Sequence, residues 1–186
     1  HLGPDRKMGY LQIDAHLDAG TDIGGELQTN CNGLVRASEL PNLSADNMAI
    51  IGIRGTINVR EWWTAARERG ITVYPMHTVR ERGFDAVVTE ALDRVWDGVD
   101  GVYVTFDTDS IDSGFAPGTT GPEPGGFTGE EIIRLGKLVG ERGLTAVDNV
   151  ELCPVYDPSG VTARLVWEVL SQMLYAHARA HLGAVD

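Results

Sequence analysis

Short apolar runs and stretches of helical period take turns along this chain. Tyr10–Asp14, Asn47–Ile53, Ile71–Pro75, Gly101–Phe106 and Leu144–Leu152 are brief, apolar and bounded by turn residues, the pattern of buried strands. Between them the period lengthens. Asn58–Arg69 carries Trp62, Trp63 and Ala66 along one stripe, with Asn58 placed to cap it. Phe84–Trp96 repeats apolar residues at Val87, Val88, Ala91, Leu92 and Val95. A further helix opens at Thr128, where Glu131 three positions on completes a capping box, and runs through Gly140. Val161–Leu182 is a long terminal helix, and Gly33–Leu40 a short one closed by Pro41. Two glycine-rich loops, Ala19–Asn32 and Ser110–Phe127, interrupt the series. Strand and helix alternate without repeats or low-complexity linkers. The expected fold class is therefore α/β, a three-layer αβα with a mainly parallel sheet. The 186 residues read as a single domain, 1–186.

In such sheets ligands bind beyond the carboxyl ends of the strands. Three of the five expected strands run into acids there. The first, in GYLQIDAHLDAG, ends in Asp14, His16 and Asp18; the fourth ends in Asp107, Asp109 and Asp112; the fifth contains Glu151. A lone acid after a strand ordinarily caps a helix or faces water. Acids at alternate positions share one face of an extended segment, however. The five carboxylates and the histidine of the first two clusters, meeting at one sheet edge, would repel severely unless neutralised. A bound cation does so. Carboxylate oxygens with one imidazole suit Mn²⁺, Fe²⁺ or Ni²⁺ better than zinc. Six such groups exceed the needs of one ion, and bridging carboxylates would let two sit about 3.5–4 Å apart.

Charge narrows the partners. The formal net charge is −12, which repels phosphate backbones and argues against nucleic acid. No basic amphipathic helix and no apolar run near the roughly 20 residues of a span suggests a membrane. No signal peptide is recognisable, and the two cysteines form no framework, so a reducing cytoplasmic location is expected. Cys153, in an apolar run, is expected to be buried; Cys31, in a polar loop, exposed.

Three motifs carry a family resemblance. They are DAHLD at Asp14–Asp18, TFDTDSIDSGFAPGTTGPEPGG at Thr105–Gly126 and NVELCPVYD at Asn149–Asp157, with IGIRG at Ile51–Gly55 and TARL at Thr162–Leu165. In this order, over nearly the whole chain, they resemble the ureohydrolase (arginase/agmatinase) family. The resemblance implies an arginase-like fold and hydrolysis of a small guanidino compound to urea and an amine at a dinuclear centre, Mn²⁺ with Ni²⁺ as the alternative. It implies that Asp14 and Asp107 bridge two ions, that His16 and Asp109 ligate the second and Asp18 the first, and that Asp112 supports the loop. By the same resemblance Glu151 accepts hydrogen bonds from the guanidinium, a metal-bridging hydroxide attacks, and Asp18 carries the proton to the leaving amine. Homo-oligomers, trimers or hexamers, are implied as well.

The chain also departs from the pattern. The family's upstream Gly-Gly-Asp-His segment, whose histidine ligates the first ion, has no counterpart, and His1 does not match it. An N-terminally truncated chain is therefore expected. A Ser-His-Gly-like segment is replaced by Thr29-Asn30-Cys31-Asn32-Gly33, where Asn30 cannot titrate. Asn30 and Asn32 are expected at the substrate, with tail recognition in the Ala19–Asn32 loop. His177 and His181, spaced i, i+4, read as a helix C-terminus complementing the dipole, His77 as a connecting residue, and Glu130-Glu131 as a helix first turn. Gly125-Gly126 reads as turn geometry, since no phosphate-loop Lys follows. Of Trp62 and Trp63, one should pack inward and the other lie at an interface. The alternatives are a formimino or simpler guanidine substrate at the same centre, and a catalytically silent metal-binding or oligomerisation subunit.

Overall fold

The computed structural model describes residue 3 and residues 5–183; His1 lies outside the described residues. Five strands form one parallel sheet: β1 (Met8–Ile13), β2 (Leu43–Ile53), β3 (Thr72–Pro75), β4 (Gly101–Asp107) and β5 (Ala146–Val150). Their order across the sheet is β3-β2-β1-β4-β5. The chain winds outward from β1 in one direction, then returns and winds in the other. The crevice between β1 and β4 is thus the point where the winding reverses, the usual place for a ligand in such sheets.

The helices are α1 (Gly33–Ser38), α2 (Arg60–Glu68), α3 (Met76–Arg82), α4 (Phe84–Val95), α5 (Gly129–Arg142) and α6 (Val161–His181). Alternation along the strands splits the core in two. Leu11 and Ile13 of β1 and Val102, Val104 and Phe106 of β4 pack against α3, α4, α5 and α6. On the other face Tyr10 of β1 and Met48, Ile50 and Ile53 of β2 pack against α1 and α2. The three-layer arrangement follows because both sheet faces are apolar and each needs a cover.

Several boundaries move relative to the sequence pattern. β2 starts at Leu43, four residues before the apolar run, because Leu43 pairs with Met8 across an irregularity in the ladder. β5 is shorter than expected and only half-buried. Residues Met76–Arg82, expected as a connection, form α3, and His77 sits in its first turn. The Thr128/Glu131 capping box is present: Thr128 Oγ1 accepts from Glu131 N at 3.2 Å and Glu131 Oε2 from Thr128 N at 2.9 Å. Asn58 does not cap α2; Val59 takes that position, for a reason that belongs to the site. Trp62 packs on the second core while Trp63 stays exposed. Cys153 is half-buried rather than buried, and Cys31 also is half-buried. No helix among the described residues is long and apolar enough to cross a membrane.

Candidate metal centre

The register sets the site. Ile13 of β1 pairs with Phe106 of β4, so Asp14 and Asp107 leave the sheet abreast. Neighbouring strands lie about 4.8 Å apart, which brings the two carboxylates together. Asp107 in turn pairs with Val150, so Glu151 leaves β5 one residue further on. All three strands are parallel, and all three deliver their acids to one edge.

Beyond β1 the backbone is re-aimed sharply. Asp14 Oδ1 accepts from His16 N at 2.6 Å, and Ala15 N donates to Asp109 Oδ1 at 3.1 Å. His16 thereby turns its ring onto the β4 loop, with Nδ1 2.9 Å from Asp109 Oδ2 and 3.9 Å from Asp14 Oδ1. Ligand atoms of Asp14, His16 and Asp109 all lie within 4.8 Å of one another, and all three residues are buried. After β4, Asp107 Oδ1 accepts from Asp109 N at 2.8 Å, closing the single turn that presents both aspartates.

On the other side of Asp14 opens a cavity of about 210 Å³. It is lined by the acids Asp14, Asp18, Asp107 and Glu151, by Asn30, Gly33 and Leu34 after the first loop, and by strand residues that include Tyr10, Gln12 and Thr105. Tyr10 stacks on Tyr103 beneath, ring centroids 5.9 Å apart. Asp14 therefore belongs both to the cavity wall and to the cluster with His16 and Asp109. Among the described residues, Asp18 (φ 46°) and Glu151 (φ 59°) are the only non-glycine residues in the left-handed region. Strain of this kind costs about 1–3 kcal/mol per residue and collects at functional sites. Here both strained residues face the same cavity.

Electrostatics point the same way. Burial, then Asp107, Asp109 and Asp18, raise the Asp14 carboxyl well above the usual range. Burial and Asp109 raise Asp107 to about 9, and burial raises Asp18 to about 6. Burial works against charge on His16, but Asp109, with Asp18 and Glu123, outweighs it and the imidazole pKa rises. The half-buried Arg54 after β2 brings a cation near these acids. Its guanidinium donates to the carbonyls of Gly52, Asp109, Ser110, Ile111, Glu123 and Pro124.

The sequence pattern gave the supporting residues no role at the site. Asn58 accepts from Leu17 N at 2.8 Å and donates to Ala15 O at 3.0 Å, clamping the loop after β1. Its amide is therefore spent on the site rather than on capping α2. Gln12 donates to Asp14 Oδ2 at 2.8 Å and to His16 O at 3.2 Å. A polar residue inside an apolar strand, and a cation directly after one, were the available signals. Asp112 holds the long loop as expected, accepting from Gly114, Gly125 and Gly126 N. Hydrogen bonds from those amides outweigh burial and lower its pKa.

The two asparagines separate. Asn30 is exposed at the cavity. Asn32 is fully buried behind the loop: Nδ2 donates to Gly20 O at 2.6 Å and Oδ1 accepts from Thr29 N at 2.8 Å. The structure thus places Asn32 in the loop's own scaffold rather than on the cavity wall: its amide joins the two ends of the loop beside the Gly20 N to Cys31 O hydrogen bond of 2.8 Å. His177 and His181 stack at the end of α6, 4.9 Å apart, and His181 Nε2 meets Glu141 O at 3.0 Å, far from this edge of the sheet in sequence and fold.

Comparison with known proteins decides the lineage. The family model described as the arginase family matches residues 1–175. The chain belongs to the arginase family. Among curated members it is similar to guanidinopropionase of Pseudomonas aeruginosa, 36% identical over 186 residues, covering 96% of this chain and 57% of that protein. It is also similar to proclavaminate amidinohydrolase of Streptomyces clavuligerus, 30% identical over 174 residues, 94% of this chain and 55% of that one. The solved structure of the latter superposes with a TM-score of 0.85 over 94% of this chain and 57% of that chain. Formimidoylglutamase of Bacillus subtilis gives a TM-score of 0.85 at 25% identity, over 91% and 53%. The arginase-family chain described here thus spans about half the length of the relatives it matches, and the arginase fold is shared over that half.

Proposed function

We infer that this edge of the sheet serves metal-dependent hydrolysis of a small guanidino compound to urea and an amine. The observation that carries the reading is the double membership of Asp14, which joins the His16/Asp109 cluster to a cavity walled by Asp18, Asp107 and Glu151. The donor set fits divalent ions. Oxygens and one imidazole suit Mn²⁺ or Ni²⁺, and carboxyls pushed up by mutual repulsion are the groups that a cation would return to their charged form. Asp14, His16, Asp107 and Asp109 would hold one ion, and Asp14, Asp18 and Asp107 would face a second. The chemistry such ions supply is a water acidic enough to attack near neutral pH.

The chain's own residues then do the rest. Glu151 lines the cavity together with Asp18 and would accept the guanidinium N–H groups, a charge-assisted pairing. The Thr120 hydroxyl donates to Glu151 Oε2, which orients the carboxylate and leaves Oε1 for the substrate. Asp18, half-buried at the same wall, is placed to pass a proton to the departing amine. Asn30, exposed at the cavity, would meet the substrate's tail. Agmatine, guanidinobutyrate and guanidinopropionate are the substrates that the relatives' names offer, with a formimino compound as the alternative. A homo-oligomer, trimer or hexamer, in the cytoplasm completes the reading. The exposed Trp63 supports an interface, and the two unpaired cysteines support the compartment.

The test is urea release with Mn²⁺ or Ni²⁺ from agmatine, guanidinobutyrate, guanidinopropionate, arginine and guanidine. Turnover of one of them is expected. Metal bound with no urea from any would favour a silent subunit, the reading to which Asn30 in place of a histidine lends support.

A further inference from the structure

The His16 ring is held from its Nδ1 side. Nδ1 faces Asp109 Oδ2 at 2.9 Å, whereas Nε2 is buried with no hydrogen-bond partner. A neutral imidazole that gives the Nδ1 lone pair to a cation carries its proton on Nε2, and a buried N–H needs an acceptor. Glu123 Oε1 lies 3.9 Å from Nε2, one short adjustment beyond hydrogen-bond length. Among the described residues no donor hydrogen-bonds the Glu123 carboxylate.

The surroundings are shaped for that carboxylate. A Cβ at Gly55 would fall 2.3 Å from the Glu123 carboxyl, so the missing side chain leaves the space that Glu123 fills. A Cβ at Gly121 would lie 3.0 Å from His16 Cε1 and 3.2 Å from Asp109 Oδ2, so the same loop closes directly on the ring. Arg54 donates to Glu123 O at 2.7 Å and to Asp109 O at 2.8 Å. One guanidinium therefore ties the backbone of the carboxylate to that of the His16 partner.

We propose that Glu123 is the positioning residue of His16: its carboxylate accepts the Nε2–H hydrogen bond and so fixes the tautomer that leaves Nδ1 free for a divalent ion. This rests on the metal reading above. An outer-shell partner of a metal-ligating histidine typically contributes 10–100-fold to affinity, which sets the scale, about 10–100-fold, for its loss.

The experiment uses the purified protein with Zn²⁺ as a diamagnetic probe and Mn²⁺ as the candidate ion. Glu123→Met, similar in length and without an acceptor, should weaken binding at the His16 position about 10–100-fold. Glu123→Gln, whose amide oxygen still accepts, should recover most of that loss. Long-range ¹H–¹⁵N spectra of the Zn²⁺-loaded protein should show His16 protonated on Nε2 in wild type and Gln, and a mixture in Met. Matching circular dichroism and melting of the metal-free variants separates this from misfolding. Equal affinity in wild type and Met, or equal loss in Gln and Met, would overturn the positioning role. Wild type that takes up neither ion would instead overturn the metal reading itself.

Discussion

At the scale of single residues, Asp107 and Glu151 both line the cavity and should fail differently. Asp107 closes the turn that presents Asp109 and faces Asp14, so Asp107→Ala is expected to strip metal from both positions. Two ions per chain by metal analysis in that variant would refute a bridging role. Glu151→Gln should keep its metal and raise KM or lower kcat, since Glu151 is expected to meet substrate and no ion; lost metal would mean that Glu151 is a ligand. Arg54 offers a third test. Lysine has three donors on a point charge where arginine's fork serves six carbonyls. Arg54→Lys should cost about 2–4 kcal/mol in chemical denaturation, because buried carbonyls lose their partner. A change below about 0.5 kcal/mol, the surface range, would show that water replaces the guanidinium. The acids themselves were legible in sequence because they follow apolar runs at alternate positions. Asn58, Gln12 and Glu123 were not, because their partners lie 2 to more than 100 residues away and no local pattern records which loop a side chain will meet.

At the scale of elements, the long periodic helices and buried strands were legible, since Val87, Val88, Ala91, Leu92 and Val95 of α4 all reach the core. α3 was not. It is seven residues long and mostly polar, and it is held by tertiary contacts, including the ion pair of Arg80 with Glu131 at the start of α5. The first turn of α5 is thus bound twice, by its own capping box and by α3. Further along α5, Gly136 and Gly140 lie one turn apart against α6. A Cβ at Gly140 would fall 2.2 Å from Met173 O and at Gly136 2.9 Å from Val169 O. The two backbones approach as closely as they do because neither glycine has a side chain. Gly140→Ala should therefore destabilise, despite alanine's better helix propensity, by about 1–3 kcal/mol through overpacking. A gain in stability on thermal melting would show that α6 can shift outward freely.

At the scale of the molecule, the acids bind folding to pH. In the metal-free fold Asp18 holds its proton to about 6 and Asp107 to about 9. An unfolded chain releases both near pH 4. Folding then takes up protons, so stability is lost as pH rises through that window, up to about 6 for Asp18 and about 9 for Asp107. Below pH ~4 the difference vanishes. Asp157 opposes this only at the acid end: Ser159 and Thr162 hold it at about 2, so its contribution is complete above pH ~4 and lost beneath about 2. The metal-free protein should thus melt lower at pH 8 than at pH 5, and Mn²⁺ should raise Tm more at pH 8. A flat profile by calorimetry would mean that solvent already shields these groups.

The pairing of Ile13 with Phe106 has one more consequence. Asp14 and Asp107 could not meet in a local hairpin; they come together when two segments more than ninety residues apart zip up. A Mn²⁺-sensitive signal followed during refolding would then act as a clock for that central seam, and it should never run ahead of the burial of Phe106.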